Sequence, residues 1–118
     1  MIKGDILYGR KYSDAIHPII YLGEHNDELF IGAMLTSASN FEDNVMMKPE
    51  HFKITNENDK DFEFNFKNTH LVKAKLLKRN DWRPFKKIGE LTKQGIKFVE
   101  AHVNTKKEKL WEEYIIGN

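Results

Sequence analysis

Apolar and polar positions fall into two regimes along the chain. Short apolar runs closed by turn residues occupy the first two thirds, and helical spacing takes over beyond Thr92. Residues 2–8 form the first expected strand, which contains a Gly4-Asp5 pair. Residues 18–22 (PIIYL) are a β-branched run closed by Gly23, and residues 24–27 (EHND) then make a turn into a second run at 29–35. The two runs predict an antiparallel hairpin, with Pro18 at a strand's first residue, where a missing N–H is tolerated. Residues 45–47 and 52–54 are candidate short strands with Pro49 and Glu50 between them. Residues 61–67 (DFEFNFK) alternate Phe62, Phe64 and Phe66 with polar residues, the period of a strand with one buried face.

Residues 69–77 carry Leu71, Val72, Ala74, Leu76 and Leu77 and predict one continuous strand, with Lys73 and Lys75 on one face. Thr92 is then a candidate N-cap for a helix whose apolar stripe is Ile96, Val99 and Val103, with Phe98 beside it. Gly95 inside that helix costs about 1 kcal/mol against alanine. Residues 106–116 form a last amphipathic segment with Leu110, Trp111 and Tyr114 for packing, and the lysines at 106, 107 and 109 read as its solvated face. The expected class is mainly β (α+β): a small antiparallel β-barrel followed by a C-terminal helix. No repeat, low-complexity tract or linker divides the chain, so residues 1–118 are expected to form a single domain.

Composition narrows the chemistry. The 118 residues, 40% hydrophobic and 31% charged, suit one ordinary core. Absence of cysteine removes disulfides, thiolate zinc sites and thiol nucleophiles, and fits a reducing cytoplasmic location. No apolar run approaches the roughly 20 residues that span a bilayer, and residues 1–9 lack a signal-peptide core. Net charge is only +1. Yet acids dominate between Glu24 and Glu63, whereas Lys73, Lys75, Lys78, Arg79, Arg83, Lys86, Lys87 and Lys93 dominate the stretch that follows. Such a division fits either a polyanion-facing surface or solvated faces.

The run that starts at Phe30 ends abruptly in Leu35-Thr36-Ser37-Ala38-Ser39-Asn40-Phe41. Hydroxyls at a strand end either satisfy nearby backbone groups or bind a phosphate. His17 before Pro18 is either a turn residue or a proton-exchanging group near neutral pH. His25, His51, His70 and His102 show no close metal-ligand spacing, so neither a metal nor a cofactor is expected. The three alternating phenylalanines read as core. Trp82 and Arg83 either stack on an unpaired base or pack under the C-terminal helix.

Four motifs in order resemble the MazF/PemK toxins of bacterial toxin–antitoxin systems: Gly4-Asp5, His17-Pro18-Ile19-Ile20, Leu35 to Phe41, and Lys87-Ile88-Gly89-Glu90-Leu91, the last opening the C-terminal helix. The chain departs from the family pattern in three places. His17 stands where the family has the arginine of an Arg-Pro pair, no carboxylate accompanies Lys73 and Lys75, and residues 56–61 form an acidic insertion. The resemblance implies an SH3-like barrel and a metal-independent endoribonuclease that cuts single-stranded RNA to a 2′,3′-cyclic phosphate. It also implies a homodimer and an antitoxin partner that covers a basic surface. His17, Thr36 and Ser37 become the candidate catalytic residues, and Lys73, Lys75, Lys78, Arg79, Trp82 and Arg83 the candidate RNA-binding residues. A barrel that binds nucleic acid without cutting it, and a protein-interaction module, stand as the alternative functions.

Overall fold

The computed structural model describes residues 1–9, 17–37, 44–64, 68–81 and 84–116. Its strands are β1 (Asp5–Tyr8), β2 (Ile19–Glu24), β3 (Leu29–Thr36), β4 (Asn44–Met46), β5 (His70–Val72), β6 (Lys75–Arg79), β7 (Lys86–Glu90) and β8 (Glu108–Leu110). Helices α1 (Lys93–Val103) and α2 (Trp111–Ile116) lie towards the C-terminal end, and Pro49–His51 form a single 3₁₀ turn.

The eight strands make one mainly antiparallel sheet in the order β4-β5-β3-β2-β1-β7, with β6 on β3 and β8 on β6. Among the described residues only the β6–β8 pairing is parallel. The expected barrel is not closed by strand pairing, because β4 and β7 stand at opposite ends of that order and are not joined.

The central strand, β3, explains how a sheet this short curves. One edge pairs with β2 along its length, whereas the other is divided: Leu29 to Gly32 pair with β6, and Leu35 and Thr36 pair with β5. Leu71 lies opposite Leu35 and Leu76 opposite Gly32, so five steps along one chain face three along the other. The two surplus residues are Lys73 and Ala74, and the Ala74 N–H turns back to the Val72 carbonyl at 2.8 Å. The continuous strand expected at 69–77 is therefore two strands with a bulge, a device that sharpens local bend and twist.

Apolar residues cover both faces of the sheet, which is why β2 and β3 read as continuous runs rather than alternations. On one face Ile20, Leu35 and Leu71 pack with Val99 and Val103 of α1. On the other, Ile19, Phe30 and Leu76 pack with Trp111 of α2, and Phe85 and Tyr114 join them.

Several sequence expectations change in this frame. The first strand begins at Asp5 because Gly4, at φ +98°, turns the chain; its amide donates to Tyr21 and its carbonyl accepts from Leu91. A β-carbon at Gly4 would sit 2.9 Å from Ile96 Cδ1, so the Gly-Asp pair has a packing role beneath α1. Asp5 is buried, accepting from the Ile2 N–H at 3.0 Å and facing Lys87 Nζ at 3.1 Å.

Residues 52–54 and 61–64 contribute isolated bridges rather than strands. Phe64 still packs inward, onto Phe52 at 5.2 Å between ring centroids, while residues 65–67, including Phe66, lie outside the described set. Ile88-Gly89-Glu90 belongs to β7, paired with β1, and the helix starts only at Lys93. Glu108–Leu110 is an edge strand against β6, so a helix occupies only the second half of 106–116.

Candidate functional site

The rim where β3 ends brings together residues far apart in the chain. Ile19 pairs with Met34, and the Leu35 N–H donates to the Pro18 carbonyl at 3.0 Å. Continuing that register by one residue puts His17 opposite Thr36. On its other edge Thr36 pairs with His70, which in turn pairs with Met46.

Directly opposed residues in an antiparallel sheet project to the same face, with β-carbons about 5 Å apart. His17, Thr36, His70 and Met46 thus form a row across four neighbouring chain segments. His17 and Thr36 are half-buried, His70 is buried and Met46 is 55% exposed. Ser37 is exposed at the bend just past β3, and residues 38–43, with the rest of the hydroxyl-rich motif, lie outside the described residues.

His70 lies in no motif of the sequence and has no metal-ligand spacing. Its place in the alternation His70-Leu71-Val72 was the available signal: Leu71 faces the α1 core, so His70 and Val72 face the other side. The His70 Nδ1 stands 3.1 Å from the Asn68 carbonyl. A carbonyl only accepts, so Nδ1 carries the proton and Nε2 is the basic nitrogen.

The basic segment is not a single surface. Lys78 is buried, its ammonium 3.5 Å from Glu112 and 5.3 Å from the Trp111 ring centroid. Burial pushes its pKa below the usual lysine value, and Glu112 opposes that shift. Lys78 is therefore an internal cation beneath α2 and not a surface contact for RNA. Arg79, on the opposite face of β6, is exposed and forks onto Asp81 at 3.1 and 3.0 Å. Lys75 lies 3.8 Å from Glu108, which also faces His25 at 3.5 Å. Lys73 sits half-buried at the bulge, and its charge adds to the effect of burial in lowering the His102 pKa. Trp82 and Arg83 lie outside the described residues.

The charge division along the chain is largely recombined in space. Lys86 meets Glu63 at 2.7 Å, Lys87 meets Asp5 at 3.1 Å and Lys53 meets Glu90 at 3.4 Å. A cleft of 710 Å³ lies at the other end of β3, lined by Glu28, Leu29, Arg79, Asp81, Leu110, Glu112 and Glu113. Its carboxylates oppose a phosphate, so the concave feature and the candidate chemistry occupy different ends of the same strand.

Among the described residues no helix is long and apolar enough to cross a membrane. Comparison with family models, curated proteins and solved structures returns no match, so the family resemblance stands on the quoted motifs alone.

Proposed function

We propose that this protein is a metal-independent endoribonuclease acting on single-stranded RNA, the toxin of a toxin–antitoxin pair, with its site at the β3 rim. The observation that carries this reading is the β2–β3 register, which when continued past Pro18 and Leu35 brings His17 opposite Thr36. The two residues belong to separate motifs of the resemblance, 19 positions apart in the sequence, and fall on one face. Cleavage needs a proton acceptor for the ribose 2′-OH, a proton donor for the leaving 5′ oxygen, and hydrogen-bond donors for the charge that builds on phosphorus. His17 supplies proton exchange, and the Thr36 and Ser37 hydroxyls supply hydrogen bonds to phosphate oxygens. The finer description of the fold as an SH3-like barrel, the homodimer, the antitoxin and the cytoplasmic location belong to the same proposal.

The test is the rate of RNA cleavage without added metal by the native protein, His17→Ala and Thr36→Ala. The proposal expects both variants to lose about 100-fold or more; a His17→Ala protein that cuts at the native rate contradicts it.

A second reading, a fold that holds RNA without cutting it, is favoured by one observation. His17 stands where the family has an arginine, and no carboxylate accompanies Lys73 and Lys75. Binding by phosphate contacts alone gives affinity that falls steeply with salt while the RNA stays whole.

A further inference from the structure

We propose that His70 is the general base of the site. This rests on the nuclease reading above and names the second proton-transfer group that reading needs. In-line cleavage places the attacking 2′ oxygen and the leaving 5′ oxygen on opposite sides of phosphorus, so acid and base must flank the phosphate. His17 and His70 flank Thr36 from its two neighbouring segments, with backbones about 10 Å apart, two strand spacings. The register thus sets Thr36 between His17 and His70 on one face of the sheet.

His70 is also set up for the task. The Asn68 carbonyl fixes its tautomer, leaving Nε2 as the proton acceptor. The imidazole is held by burial at 6% exposure, while its other cross-strand neighbour, Met46, is open to solvent at the same rim. The residues paired with His70, Thr36 and Met46, are both uncharged.

The step balances with one proton in and one out. His70 Nε2 takes the 2′-OH proton as the 2′ oxygen bonds to phosphorus, the bond from phosphorus to the 5′ oxygen breaks, and protonated His17 delivers a proton to the departing oxygen. The products are a 2′,3′-cyclic phosphate and a 5′-hydroxyl, and solvent exchange restores both imidazoles.

The decisive variant is His70→Asn, whose amide reproduces the donor at Nδ1 but has no basic Nε2; His70→Gln serves as a second variant should packing fail. Steady-state cleavage of a mixed-sequence RNA is measured across pH 5–9, with thermal melts to verify folding. The inference expects native activity with a rising limb near the histidine range. It expects the folded variant to lose kcat by about 100-fold or more, with KM little changed and that limb absent. A folded variant that keeps native activity, or loses rate with the pH limb intact, overturns the role of His70 alone. Native protein that leaves RNA whole overturns the nuclease reading and this inference with it.

Discussion

Gly95 packs against His51 so closely that a β-carbon at position 95 would lie 2.2 Å from the His51 carbonyl oxygen. That oxygen accepts the Thr92 N–H at 3.0 Å, so the 3₁₀ turn and the start of α1 are clasped together by backbone and cannot simply part. Helix propensity alone says that Gly95→Ala gains about 1 kcal/mol. The contact reverses the sign, because backbone must shift, and overpacking costs about 1–3 kcal/mol. Gly95→Ala is expected to lower the urea midpoint and the melting temperature; a gain would contradict the clasp.

Thr92 closes the same junction from its side chain. Its hydroxyl accepts from the Gly95 N–H at 3.1 Å and donates to the Glu50 carbonyl at 2.7 Å. Loss of an N-cap oxygen costs about 1 kcal/mol, and loss of the second bond adds to it. Thr92→Ala is expected to destabilise by about 1–2 kcal/mol in chemical denaturation, and Thr92→Ser to recover most of it.

Two histidines in contact with Phe98 make stability depend on pH. His51 lies tilted against that ring at 4.4 Å between centroids, and His102 meets it edge-on at 4.5 Å. Burial holds both pKa values below 6.5. Lys48 adds to the shift at His51 while Glu50 opposes it, and Lys73 and Lys106 reinforce it at His102. The His51 Nδ1 also accepts the Lys48 N–H at 3.0 Å, which only an unprotonated nitrogen can do. The unfolded chain therefore takes up protons first as pH falls. Stability from these groups is complete above about pH 6.5 and is lost as pH drops through the folded-state values. Denaturation midpoints are expected to fall over that window, and His51→Asn, which keeps an acceptor near Nδ1, to flatten the fall.

Lys78 tests whether the basic segment is a surface. Its pKa is held down by burial, so at neutral pH its charge is a cost that Glu112 and Trp111 partly offset. Lys78→Met is expected to hold or raise stability at pH 7 and to leave RNA affinity unchanged. A drop in RNA affinity with stability intact would return Lys78 to the binding surface.

The parts of the fold legible in the sequence were those set by local chemistry. The β2–β3 hairpin follows from two β-branched runs around a polar turn, and α1 from its Thr92 cap and the spacing of Ile96, Val99 and Val103. What escaped was decided by partners distant in sequence. Lys73-Ala74 reads as strand interior, yet becomes a bulge because β3 offers two residues fewer on its edge. Residues 108–110 look like the face of a helix, yet pair in parallel with β6. Lys78 has the same local pattern as Lys75, but the strand's alternation turns it towards Trp111. At the rim, His17 and Thr36 were visible as motifs, while His70, marked in the sequence by strand alternation alone, joins them through its pairing with Thr36.

The most direct test of the central claim is to incubate the native protein with a long mixed-sequence single-stranded RNA in the presence of a chelator and map the new ends. The account predicts site-selective cuts that leave a 2′,3′-cyclic phosphate on one fragment and a 5′-hydroxyl on the other. RNA recovered whole, or fragments ending in 3′-hydroxyl and 5′-phosphate, would contradict it.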